Sequence, residues 1–164
     1  MSVTIALRQD GVKRPFRLRL LTRLAIWAGR LLALLKPHRL RRVLVRLSKG
    51  VPPAGVEEVR EAREAVLAAS LSLNGLRACL PRSLSIVMLC RFQGRWPTWS
   101  VGVRSMPPFL AHAWVEVGRE MIGEKGGYDS FSRLITVPPA EPAPVPPSSS
   151  GASGEPAASR EETG

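Results

Sequence analysis

Cys79 opens the stretch Cys79-Leu80-Pro81-Arg82-Ser83-Leu84, and His112 lies within Ala111-His112-Ala113-Trp114-Val115-Glu116-Val117. A thiol becomes a strong nucleophile when its pKa is lowered, and the start of a helix lowers it with unpaired backbone N–H groups and the positive end of the dipole. Pro81 suits a first turn because its missing N–H costs nothing there. Leu80, Leu84, Val87 and Met88 then recur at helical spacing, so a buried helix is expected to begin at or just after Cys79. Arg77 and Arg82 add positive charge close by. The other cysteine, Cys90, lies among Met88, Leu89 and Phe92 and reads as a small buried hydrophobe. On one helix the two sulfurs would be roughly 16 Å apart, so they are not a disulfide pair.

His112 sits in a run of strict alternation. Ala111, Ala113, Val115 and Val117 fall on one face of a strand, directed at the helices, and His112, Trp114 and Glu116 on the other. The second histidine, His38, follows a proline in a basic segment. A cysteine at a helix start followed by a histidine on a strand is the arrangement of cysteine hydrolases. Such a pair needs a third group to orient the imidazole. Glu116 lies about 13 Å along the same strand and cannot reach the ring. If Val117-Gly118-Arg119 makes a three-residue hairpin loop, residue 120 pairs with 116 and Glu124 comes to lie opposite His112, with Cβ atoms about 5 Å apart. A two-residue loop would turn Glu124 to the other face, which leaves Asp129 as the reserve. Cys79, Cys90 and His112 lack the close paired spacing of zinc ligands, so neither a metal nor a cofactor is expected.

Around these residues the chain divides by composition. Of its 164 residues, positions 1–50 carry 13 Lys/Arg against Asp10 alone, a net charge of +12; positions 51–137 carry +2 and 138–164 carry −3, for +11 in total. Aromatic groups are not interleaved with the basic ones, which argues against nucleic-acid binding. Residues 15–36 put Leu20, Leu24, Trp27, Ala28, Leu31 and Leu35 at helical spacing, and Arg39 to Gly50 offers a second short helix after Pro37. These helices could pack on the core, meet a partner protein or lie on an anionic membrane. Past Pro52-Pro53, Val59, Ala62, Val66 and Ala69 form the stripe of a third helix, with Glu57, Arg60 and Glu64 on its exposed side. Beyond Gly94 the period changes to two: Trp99 to Val103, the His112 run, Glu120 to Glu124 and Ser130 to Val137 supply three or four strands. Seven prolines from Pro138 onward, with almost no large apolar groups, give a disordered tail. The expected organisation is a basic amphipathic helical segment over 1–50, a catalytic core over 51–137 and the tail over 138–164. The first 50 residues contain neither a membrane span nor a signal-peptide cleavage site, which points to the cytoplasm.

Cys79 to Leu84, Gly102-Val103-Arg104, Pro108-Phe109 and Ala111 to Val117 together resemble the transglutaminase-like cysteine peptidases of lasso-peptide biosynthesis, the leader peptidase that forms the C-terminal half of the B protein. The resemblance covers about residues 15–137. It implies an α+β, papain/transglutaminase-like fold in which N-terminal helices pack against a small antiparallel sheet. It also implies a triad that cleaves the leader from a ribosomally made precursor, with Cys79 as nucleophile, His112 as base and then acid, and Glu124 as the acidic third member. That family commonly has Asp at the third place, so Glu124 is a departure, one methylene longer. Fused members carry a leader-recognition domain that residues 1–50 do not resemble. The resemblance therefore implies a standalone peptidase working with a precursor peptide, a separate recognition protein and a lasso cyclase. Two other readings use the same residues: a transglutaminase-like acyltransferase that takes an amine acceptor, and a non-catalytic scaffold whose helices bind a partner.

Overall fold

The computed structural model describes residues 15–75, 77–124 and 128–140, so most of the tail, 141–164, lies outside the described residues. Four helices, α1 (Phe16–Ala33), α2 (Pro37–Leu47), α3 (Val56–Ala69) and α4 (Cys79–Phe92), precede four strands, β1 (Thr98–Arg104), β2 (Ala111–Val117), β3 (Glu120–Met121) and β4 (Phe131–Val137). The strands form one antiparallel sheet in the order β3-β2-β1-β4. The architecture is α+β, with helices packed against a small antiparallel sheet.

Local sequence explains the helix boundaries. Pro37 sits at the first position of α2, where its fixed φ is already helical. At the start of α3 the Glu58 carboxylate accepts the Gly55 N–H at 2.7 Å, which satisfies one otherwise orphaned donor. Through its middle α4 is buried on every side, from Ser83 to Cys90. It is the central post of the fold, against which α1, α3 and β2 pack. Ala25 and Ile26 of α1, Leu40 and Leu44 of α2, Val59 and Val66 of α3, Leu84 and Leu89 of α4, and Trp99 and Val115 of the sheet share one core, so apolar burial runs through position 50 without a break.

The face by which α1 enters that core differs from the expected one. Thr22, Ala25, Ile26 and Gly29 are buried, whereas Leu20, Leu24, Trp27 and Leu31 point outward. Small residues decide this. A Cβ on Gly29 would lie 2.5 Å from Ser85 Oγ and 2.7 Å from Ser85 N, so the two helices approach through backbone contact that no side chain fits. Gly29→Ala should therefore lower stability. The gain in helix propensity, about 1 kcal/mol, is smaller than the overpacking cost, which reaches about 3 kcal/mol. A net loss of about 1–2 kcal/mol should show as a lower midpoint in urea unfolding at unchanged slope; a higher midpoint would contradict the packing argument.

The sheet also departs from expectation on its second face. The helix-directed side of β2 holds Ala113 and Val115, both buried, but Trp114 and Glu116 on the other side are buried as well. Of the two loops the sequence left open, the β2–β3 connection is the two-residue one, Gly118-Arg119, with Val117 opposite Glu120 and Glu116 opposite Met121. No described helix is long and apolar enough to cross a membrane.

Candidate active site

Cys79 is the first residue of α4, so its own N–H has no partner in the helix ladder and its side chain leaves the helix at the positive end of the dipole. The partly exposed thiol faces His112, whose imidazole is the strongest influence holding the Cys79 pKa below that of an ordinary thiol. Partial burial opposes this, and the backbone N–H groups of Ala113 and Leu80 assist it. Ala113 is available because of the truncated strand β3. The Val115 carbonyl accepts the Ile122 N–H at 2.9 Å, so the amides of odd-numbered β2 residues face the β3 side. Since β3 ends at Met121, the Ala113 N–H meets an open sheet edge, and α4 brings the thiol there.

The His112 ring is largely enclosed. Its Nε2 lies 2.9 Å from Glu124 Oε2, off the line of a straight hydrogen bond, which makes the contact an ion pair. That leaves Nδ1 for the thiol. Contact with Cys79 first, then with Glu124, raises the imidazole pKa to about 9 against the effect of burial. The ring stacks on Trp114 (centroids 6.1 Å apart, planes 12° apart) and on Phe131 (5.5 Å, 29°). Behind it the Trp114 indole N–H donates to Glu116 Oε2 at 2.9 Å, and the same oxygen accepts from Arg133 at 2.9 Å. Ser100 Oγ donates to Glu116 Oε1 at 3.2 Å. Glu116 is therefore a buried, paired carboxylate that braces the wall beneath His112 and does not contact the imidazole.

Glu124 reaches His112 by a path the sequence reading did not foresee. With the two-residue connection a regular β3 would have carried Glu124 to the wrong face. Instead the ladder stops at Met121, and Gly123, at φ +74°, turns the chain toward His112. Arg63 of α3 donates to the Gly123 carbonyl at 3.2 Å, and Arg82 of α4 lies 3.8 Å from Glu124 Oε1. Asp129 is exposed and pairs with Arg119 at 3.6 Å, away from the imidazole. In the sequence Gly123 falls inside the run expected as a strand, and nothing there marks Arg63 of α3 as the partner of a turn. The Trp114 stack was half legible, since alternation puts Trp114 on the histidine's face.

Cys79, His112 and Glu124 open together into a cleft of about 680 Å³ walled by Arg77, Arg104, Leu110 and Phe131. His38 is remote in role: it is exposed at the start of α2. Cys90 is fully buried, and that burial pushes its pKa up to about 12. A lowered thiol, a raised imidazole and a carboxylate 2.9 Å from the imidazole Nε2 can form a thiolate–imidazolium pair at neutral pH and carry out acyl transfer. No curated protein and no solved structure gives a significant match to the chain. The family model of the transglutaminase-like superfamily, however, matches residues 22–136, from within α1 into the last strand, and the chain belongs to that superfamily.

Proposed function

We propose that the protein is a cysteine peptidase that removes the leader from a ribosomally made lasso-peptide precursor. The observation that carries the peptidase chemistry is the joining of Cys79, His112 and Glu124 at one cleft, with Nε2 of the histidine 2.9 Å from the carboxylate. The lasso-peptide assignment is supported by the motif combination at residues 79–84, 102–104, 108–109 and 111–117.

The thiolate of Cys79 attacks the scissile carbonyl carbon, forming a C–S bond, and the resulting oxyanion takes a hydrogen bond from the Cys79 N–H. His112, protonated at that stage, gives its proton to the amide nitrogen as the C–N bond breaks and the core peptide leaves as a free amine. Water then loses a proton to His112 and attacks the thioester; the C–S bond breaks and the leader departs as a carboxylate. Glu124 stabilises the imidazolium throughout and fixes the ring. The new amine is what a separate cyclase requires, so cleavage precedes ring closure. A precursor peptide and a leader-recognition protein are the partners this reaction needs.

The test is incubation of the protein with precursor and recognition protein, followed by mass spectrometry of both fragments. A leader ending in a free carboxylate, absent with Cys79→Ala, is the expected result. An amide at that terminus would make the protein an acyltransferase, and unimpaired maturation with Cys79→Ala would make it a scaffold.

A further inference from the structure

α1 is apolar on two opposite sides. One side carries Ala25, Ile26 and Gly29 into the core, while Phe16, Leu20, Leu24, Trp27, Leu31 and Leu34 remain between 49% and 82% exposed. At 3.6 residues per turn these six fall within about 80° of one another, diametrically across from the core face, and form a seam about 27 Å long. Folded soluble chains rarely leave so large a contiguous apolar patch in water without a use for it. Arg17 borders the seam on one side, and Arg19 and Arg23 on the other. At its start Phe16, Leu20, Arg19 and Arg23 border a shallow hollow of about 160 Å³, where apolar and cationic groups meet.

The charge around this seam identifies its occupant. Residues 15–50 contain ten Lys/Arg and no Asp or Glu. A second copy of the chain would set two acid-free rims against each other. A helical protein partner would be selected by charges of both signs, which fix register and reject wrong partners. A rim of one sign around Phe, Leu and Trp suits a surface that is anionic everywhere and has no register. We propose that the outward face of α1 lies in the plane of an anionic lipid bilayer, its apolar seam in the acyl boundary and Arg17, Arg19 and Arg23 on headgroup phosphates. This reading is independent of the chemistry at Cys79.

Tryptophan fluorescence tests it on the full chain. Of the four tryptophans Trp27 is 66% exposed, whereas Trp96, Trp99 and Trp114 are at most 1% exposed. The protein should float with phosphatidylglycerol-containing vesicles and far less with pure phosphatidylcholine, and brominated acyl chains should quench part of its emission. Trp27→Phe should float as before and lose the quenching. Leu24→Glu combined with Leu31→Glu should cut flotation at least tenfold while Cys79 alkylation stays unchanged, which shows the fold intact; Cys79→Ala should float like the parent. Absence of flotation, equal flotation with neutral vesicles or undiminished flotation of the double variant would each overturn the proposal. Self-association in the ultracentrifuge without flotation would also overturn it and assign the seam to a second copy.

Discussion

His112→Ala should slow iodoacetamide alkylation of Cys79 at pH 6 by about 10²-fold and leave Cys90 as silent as before. The imidazole is the largest influence lowering the Cys79 pKa. Without it the thiol returns toward the ordinary value of about 8.5, where well under 1% is thiolate at pH 6. Cys90, with its pKa pushed up to about 12, serves as the internal control in the same mass spectrum. The pair should also shape peptide hydrolysis. Activity rises as the lowered thiol ionises and falls above about pH 9, where His112 loses the proton that the leaving amine needs. Equal alkylation of Cys79 with and without His112 would refute an activated pair.

Glu124→Gln should reduce hydrolysis by roughly 10²-fold, the low end of what positioned acid–base catalysis supplies. The amide removes the charge that helps hold the imidazole at about 9, so the alkaline limb of the rate profile should move to lower pH. That shift separates loss of positioning from mere damage to the fold. Glu124→Asp keeps the charge but withdraws the carboxylate by about 1.5 Å, one carbon–carbon bond, from a contact of 2.9 Å. It should retain more activity than Glu124→Gln and keep the limb near that of the parent. A rate profile unmoved by Glu124→Gln would exclude the carboxylate from the site's chemistry.

The parts of this molecule legible in its sequence are those set by short-range pattern. A cysteine ahead of Leu-Pro and an apolar period of 3.6 locate the start of α4, and alternation identifies β2 with the face that bears His112. Periodicity could not choose between the two apolar sides of α1, because hydrophobicity favours the large leucines while packing favours the small Ala25 and Gly29, which let α1 approach Ser85. The hairpin connection turned on one glycine: Gly118, at φ +59°, opens the two-residue loop, and the choice between two and three residues reverses every side chain beyond. Glu124 meets His112 all the same, through Gly123 and the distant Arg63. The burial of Glu116 depends on Arg133 of β4, a partner no local window contains.

Cys79, His112 and Glu124 arrive from three separate places: Cys79 from the end of a helix, His112 from a strand, and Glu124 from a turn pinned by a second helix. The helix end alone gives Cys79 only the lesser influence of the Leu80 N–H, and the largest influence, the imidazole, comes from the sheet. A chain whose sheet has come away from α4 loses that influence, and its thiol moves back toward the ordinary value, at which it is almost wholly protonated at neutral pH. The lowered thiol thus depends on the docking of the sheet against α4, so the extent of thiolate formation reports whether those two layers are in contact.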